Sequence, residues 1–255
     1  MDTDHSDQGL IRSDVTLFSI IEHLMEENGT TVTAIANELE LAKSGIHKHL
    51  KTMEEYGYVV KRDEEYQLGL QFFNRGIYTR TQYEIPQTVR SLIGEIADQT
   101  NESAWCIVPE GGQGMVLYGA SENDSISPDS LIGSWLPLHA NSGGKAIMAQ
   151  LPQSEIDAIL DQHGLPAKTQ STITDRDDLL DELDHVQEAG YALNFGEDIE
   201  GIHAVGVPVV IEDDVLGALT IAGAANRLTE EYCKTELVPL LKSAVDDLEL
   251  SYIYG

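Results

Sequence analysis

Residues 31–68 hold two short amphipathic segments, a tight turn between them and a compact hairpin after them, and few folds accept that order. Thr33 is expected to cap the first segment, Ala34-Ile35-Ala36-Asn37-Glu38-Leu39. After Glu40-Leu41-Ala42, Lys43 or Ser44 opens the second, which runs to Tyr56. In it Ile46, Leu50 and Met53 recur at i, i+4 and i+7 and define a core-facing stripe. That stripe leaves Lys43, Ser44, Gly45, His47 and Lys48 as donors or small groups on the early turns, with Lys51 beyond them. Gly57 is placed to end the helix in a left-handed conformation. Tyr58-Val59-Val60-Lys61-Arg62, a turn at Asp63-Glu64-Glu65, and Tyr66-Gln67-Leu68 then read as a short hairpin. The whole is a winged helix-turn-helix pattern. Such a recognition helix reaches base edges with its N-terminal turns, where small and donor groups are needed. A helical hairpin without a ligand is the competing reading, and Lys61 and Arg62 on the wing weigh against it. His47 faces either DNA or solvent.

Charge runs the other way. The chain carries 15 Lys+Arg against 44 Asp+Glu, a formal net charge of -29, which disfavours a polyanionic partner. The imbalance is uneven, with 8 basic and 14 acidic residues in 1–81 but 7 and 30 in 82–255. In the recognition helix Lys43, Lys48 and Lys51 outnumber Glu54 and Glu55, and with the wing's Lys61 and Arg62 against Asp63, Glu64 and Glu65 the two signs balance. The least acidic stretch therefore coincides with the expected DNA face, to which Arg12 is expected to add a phosphate contact. An acidic excess spread through every segment, with scarce lysine, fits a protein kept soluble in a high-salt cytoplasm. Counterion release contributes little affinity near molar salt, so recognition would lean on base-edge and shape contacts.

With 255 residues the chain has room for a small and a larger domain, and the expected division is 8–69, a connecting helix at 70–84, and 85–255. A first helix is expected from Ser13 to Asn28-Gly29, and Pro86 suits the first turn of a helix reaching Asn101. Strands are expected at 103–108 and 115–118 around a glycine turn, and near 134–139 before a loop-to-helix segment at 141–149. Thr174 is expected to cap a helix over Asp175–Glu188, with Asp177 in capping-box position. A hydrophobic hairpin, Ala204–Ile211 and Val215–Ala222, precedes a last helix from Thr229 towards Ser251. The fold class is mixed α/β (α+β), with a largely antiparallel sheet flanked by helices. No run approaches a membrane span, and Met1–Asp7 reads as an acidic lead-in with no signal-peptide character, so a cytoplasmic protein with no membrane partner is expected. Cys106 and Cys233 read as small buried groups.

These residues also carry a family resemblance. The wing's Tyr66-Gln67-Leu68-Gly69, Leu136-Pro137-Leu138-His139-Ala140 followed by Gly144-Lys145-Ala146, Thr172-Ile173-Thr174-Asp175 and Gly190-Tyr191-Ala192 resemble the IclR family of transcription regulators. So do Glu197 before Gly201, the strand with Pro208, and Ala218–Gly223, in the right order over nearly the whole chain. The resemblance implies a winged helix-turn-helix followed by a GAF-like effector-binding domain. It implies a double-stranded DNA operator and a small-molecule effector as partners, and assembly as a homodimer or dimer of dimers. Family effectors are often organic acids, aromatic acids or sugar-derived compounds.

Carried over position by position, the effector site would draw on Leu138, Gly143, Gly144, Lys145, Asn194, Glu197, His203, Ala204, Thr220 and Ala222. Gly143 and Gly144 would offer backbone N–H groups to the ligand. Ala204 stands where many members have cysteine, and Ala222 where serine is common, so polar groups that hold a carboxylate are missing. An organic acid and a polar, uncharged sugar derivative both remain open. Lys145 reads equally as a ligand contact and as a partner for a carboxylate. His203 and His139 read as ligand groups or, more simply, as structural histidines. No hydrolase elbow, zinc motif or phosphate loop occurs, so catalytic residues, cofactors and metals are not expected. The alternative to a regulator is a non-catalytic scaffold that uses the winged helix for protein contacts.

Overall fold

A computed structural model describes residues 9–83, 85, 88–122 and 131–254, and the chain divides into two units between Gln82 and Tyr83. The Met1–Asp7 lead-in and Pro86 lie outside the described residues.

In the first unit, helices α1 (Arg12–Glu26), α2 (Val32–Glu38) and α3 (Lys43–Glu55) are followed by strands β1 (Val59–Arg62) and β2 (Glu65–Leu68) and helix α4 (Gln71–Arg80). The wing pairs antiparallel from Val59↔Leu68 to Arg62↔Glu65, and Thr30 adds a bridge to Tyr66. Ile46, Leu50 and Met53 are buried as their spacing requires, packed with Ile20, Leu24, Ile35, Val59 and Tyr66. Gly57 takes φ +76 after α3, so the helix stops where a side chain would be strained. The cap of α2 differs from expectation. Thr31, two residues earlier than Thr33, sits in extended conformation and its hydroxyl accepts from the Ala34 N–H at 3.2 Å. Both threonines have the right chemistry, and only the backbone bend at 31 decides between them.

The second unit is built on a six-stranded antiparallel sheet in the order β5-β4-β3-β8-β7-β6. Its strands are β3 (Ser103–Glu110), β4 (Gln113–Ser121), β5 (Trp135–Pro137), β6 (Ala192–Phe195), β7 (Ile202–Ile211) and β8 (Asp214–Ala224). The β3–β4 hairpin turns on Gly111-Gly112 and the β7–β8 hairpin on Glu212-Asp213, each pair having two positive φ angles. That is the two-residue turn whose twist matches the strands it joins. Helix α5 (Val89–Thr100) and the C-terminal helices cover one face, burying Val89, Ile93, Ile96, Leu237, Leu241 and Leu248 on Cys106, Val207, Leu219 and Ile221. Helices α6 (Ser142–Met148), α7 (Gln153–His163) and α8 (Arg176–Ala189) cover the other.

Several local expectations are corrected. Helix α7 has no counterpart in the sequence reading; its half-polar stretch buries only Ile156 and Leu160, which left the apolar period faint. Asp175 caps α8, its carboxylate accepting from the Asp177 and Asp178 N–H groups at 2.9 and 3.2 Å. Thr174 therefore lies outside the helix and Asp177 is not in capping-box position. The last helix begins after Thr229 as Glu230–Tyr232 (α9), passes through a π-helical turn at Cys233–Leu237 and continues as Val238–Tyr254 (α10). Cys106 and Cys233 are both buried, which pushes their thiols up to about 12 and about 11, with Glu230 adding to the second. Both are held as neutral packing groups.

Candidate DNA-binding face and ligand cavity

The core stripe of α3 fixes which side chains it presents outwards. Lys43, Ser44, Gly45, His47, Lys48 and Lys51 are all exposed, as are Lys61 and Arg62 on β1 and Arg12 at the start of α1. Ser44, Lys48 and Lys51 repeat at i, i+4 and i+7 and form a stripe opposite the buried one. Lys61 lies 3.6 Å from the exposed Glu64 carboxylate and 5.7 Å from the centre of the Tyr66 ring. An exposed pair of this kind is weak and readily exchanged for another anion. Exposure of this face follows from the packing of Ile46, Leu50 and Met53.

In the second unit, the N-terminus of α6 lies directly on the sheet. A side chain on Gly206 of β7 would come within 2.7 Å of the Ser142 backbone, and one on Gly144 within 2.2 Å of the Leu138 backbone. Asn141 locks this corner, accepting from the Gly144 N–H at 2.7 Å and donating to the Pro137 carbonyl at 2.7 Å. The loop at 196–201 approaches from the other side, shaped by positive φ at Gly196 and Gly201. The threonine motif anchors it. Thr172 Oγ1 donates to the Glu197 carbonyl at 2.6 Å while accepting from the Lys168 and Thr169 N–H groups, and Thr169 Oγ1 donates to the Gly196 carbonyl at 2.6 Å.

Between these elements lies a cavity of about 90 Å³. Trp105, Ile107, Val116, Leu131, Leu136, Ile199 and Ile202 supply apolar wall, together with Ala204 and Ala222. Asn141, Ser142, Asn194, Asp198 and Thr220 supply polarity. Of the residues expected here, Asn194, Ala204, Thr220 and Ala222 line it. The others lie elsewhere. Lys145 is buried, with Nζ 2.8 Å from Glu197 Oε1 and 2.9 Å from Glu182 Oε1, and it lines a separate hollow of about 380 Å³ with Glu197. Of its two readings, the carboxylate partner is the one the geometry adopts. Leu138 borders a third hollow, and Gly144 gives its N–H to Asn141. Gly143 packs under Thr220 and Ile107 with no room for a side chain. His203 Nδ1 meets the Leu228 carbonyl at 2.7 Å and its ring packs on Phe195, away from the cavity. His139 Nε2 meets the Pro166 carbonyl at 3.1 Å; desolvation holds this imidazole below its usual range.

Trp105, Ile107 and Asp198 were missed. The first two alternate along β3, where the sequence marks only a strand, and Asp198 is one acid among many. Burial pushes the Asp198 carboxyl up from the ordinary carboxylate range, against opposing pulls from Lys168 and His139. Glu197 is likewise raised, chiefly by burial, although Lys145 pulls it down. Among the described residues no group of three or more His, Cys, Asp or Glu side chains is arranged for a metal ion, and no helix is long and apolar enough to cross a membrane.

An exposed recognition helix in one unit and a largely apolar cavity with a few polar groups in the other are the features of a ligand-responsive DNA-binding regulator. Residues 17–63 match the IclR helix-turn-helix domain and 78–250 the "Bacterial transcriptional regulator IclR C-terminal" domain, so the chain belongs to the IclR family of transcription regulators. It is 28% identical over 245 residues to a Halobacterium salinarum protein named "Probable HTH-type transcriptional regulator ArcR", covering 94% of this chain and 93% of that one. The crystal structure of Thermotoga maritima IclR superposes with a TM-score of 0.79 at 26% identity, over 95% of this chain and 99% of that one. The inducer-binding domain of PobR from Acinetobacter, solved with 3-hydroxybenzoic acid, aligns with a TM-score of 0.60 at 26% identity, over 64% of this chain and 97% of that one. The chain is thus a DNA-binding transcription regulator with a C-terminal effector-binding domain, and the scaffold alternative is not favoured. Its relatives are regulators rather than enzymes.

Proposed function

We propose that residues 8–69 bind a double-stranded operator, that 70–84 form the connecting helix, and that 85–255 sense a small metabolite and set the expression of a metabolic operon. The reading rests above all on the outward face of α3, where Lys43, Ser44, Gly45, His47, Lys48 and Lys51 stand exposed in a chain otherwise crowded with acids. Lys61 and Arg62 on the wing and Arg12 would hold phosphates. Two such helices in a dimer would enter major grooves one helical turn apart. Exposed apolar side chains on α1 (Val15, Phe18, Met25) and α4 (Phe73, Ile77, Tyr78) support self-association, as a dimer or a dimer of dimers. The protein would work in the cytoplasm of a high-salt cell, without catalysis or a cofactor. The Halobacterium relative and the spread of acidic residues support the salt habitat.

The effector would occupy the cavity between Trp105, Ser142, Asp198 and Thr220, and it shifts the DNA-binding equilibrium only by its difference in affinity for the two arrangements of the dimer. A genome-wide pull-down of bound DNA in native salt, with Lys48→Glu as control, tests the regulator reading. Sharp peaks over a palindromic site, lost in the variant while oligomeric state is kept, are the expected result. Equal peaks in the variant would remove α3 from the interface.

A further inference from the structure

The cavity's polar groups divide into spent and unspent. Asn194 donates to the Ala140 carbonyl at 2.6 Å and accepts from the Glu197 N–H at 3.0 Å, and both ends of the Asn141 amide are likewise engaged. Ser142 and Thr220, which are 2% and 3% exposed, line the cavity with hydroxyls that have no protein partner among the described residues. Asp198 reaches the same space from the 196–201 loop, also without a hydrogen bond. A buried hydroxyl or carboxylate is costly to leave unpaired, so these three side chains mark where a ligand's polar end belongs.

The charge of that end follows from what is missing. The basic residues of the second unit are Arg90, Lys145, Lys168, Arg176, Arg227, Lys234 and Lys242. None lines the cavity. Lys145 is held by Glu182 and Glu197, Arg176 by Asp157 and Asp161, Arg227 by Glu102, and Lys234 by Glu230. Segment 123–130, whose structure is not described, contains no basic residue either. A carboxylate entering this space would meet the Asp198 carboxyl with no basic side chain in the lining to receive it, since Lys168 and His139 act on Asp198 from outside the lining. Like charges at close quarters in a desolvated site are strongly unfavourable. A hydroxyl or ammonium group would instead donate to Asp198 and exchange hydrogen bonds with Ser142 and Thr220. About 90 Å³ is smaller than the roughly 150 Å³ that takes a benzene ring, so the apolar body is compact.

We propose that the effector is a small non-acidic molecule, a compact apolar body bearing a hydroxyl or amino group, whose donor is received by Asp198, Ser142 and Thr220. The inference rests on the cavity being the effector site. Two series on fixed bodies test it by calorimetric titration of the full chain in native salt: isobutylamine, isobutanol and isobutyrate, then benzylamine, benzyl alcohol and benzoate. The amine or the alcohol should bind at least roughly 100-fold more tightly than its carboxylate, and which of the two leads tells ammonium from hydroxyl. Asp198→Asn should narrow that gap at least roughly 10-fold, and Thr220→Val should weaken the best binder by a similar factor. A carboxylate that binds as well as its amine and alcohol overturns the proposal, and so does an unchanged ranking in Asp198→Asn. If no compound of either series binds while operator binding is intact, the cavity reading beneath it fails instead, and the inference with it.

Discussion

Replacing Lys145 by Met tests whether this residue is an internal counter-ion or a ligand contact. Its side chain is 1% exposed and its ammonium sits 2.8 Å from Glu197, whose other carboxylate oxygen is buried without a hydrogen-bond partner among the described residues. Removing the cation strands that carboxylate in a low-dielectric corner. Breaking a buried pair from one side costs about 3–5 kcal/mol. Glu182, with a third of its side chain exposed, keeps part of its water and adds at most about 1 kcal/mol. Protonation of Glu197, already favoured by burial, returns some of the loss. At about 2–4 °C per kcal/mol for a unit of this size, the second unit should melt roughly 6–20 °C lower. Thermal unfolding of the full chain in native salt, followed by circular dichroism or calorimetry, reads this directly. The double variant Lys145→Met/Glu197→Leu should recover most of the loss, because an apolar pair of similar volume fits where the ion pair stood. A melting shift under about 2 °C combined with a weakened effector response would refute the reasoning and return Lys145 to the ligand site.

Further outcomes follow from the same geometry. Asp175→Ala should destabilise the second unit by about 1 kcal/mol in denaturant unfolding, whereas Thr174→Ala should be close to neutral; the reverse order would favour the threonine cap. Glu197 and Asp198 both have folded values raised above their ordinary range, so the folded state holds their protons more tightly. The sign is that their ionisation opposes folding. Stability is lost as pH rises from their unfolded values through their folded ones, and Glu197→Gln with Asp198→Asn should flatten that slope in unfolding curves taken between mildly acidic and neutral pH. His139 acts the other way. Its folded value lies below 6.5, so it stabilises when neutral and the contribution is lost as pH falls below that value; His139→Gln should remove this step.

Much of the first unit is legible from periodicity alone. The stripe Ile46, Leu50, Met53 leaves one orientation for α3 and so exposes Lys43, Ser44, His47 and Lys48, and Gly57 and the Asp63 turn fix where helix and wing end. Local chemistry was a weaker guide where neighbours compete for one role. Thr31 and Thr33, or Thr174 and Asp175, are each able to cap, and the winner is set by backbone direction, which neighbouring elements impose. Helix α7 shows a related limit, because two buried residues are too few to mark a period.

The effector domain divides differently. Its strands, hairpin turns and glycine-rich corner were readable because alternation, turn chemistry and small residues act over a few positions. Which residues share the cavity was readable only for Asn194, Ala204, Thr220 and Ala222, since Trp105, Ser142 and Asp198 come from β3, α6 and a loop and meet them only when the sheet has closed. Sequence likewise left Lys145 open between a ligand contact and a carboxylate partner, and only packing supplied Glu182 and Glu197 beside it. Order along the chain determined the architecture and the face that α3 leaves exposed. Charge balance inside the cavity was decided by tertiary structure, because a side chain's electrostatic partners are its neighbours in space.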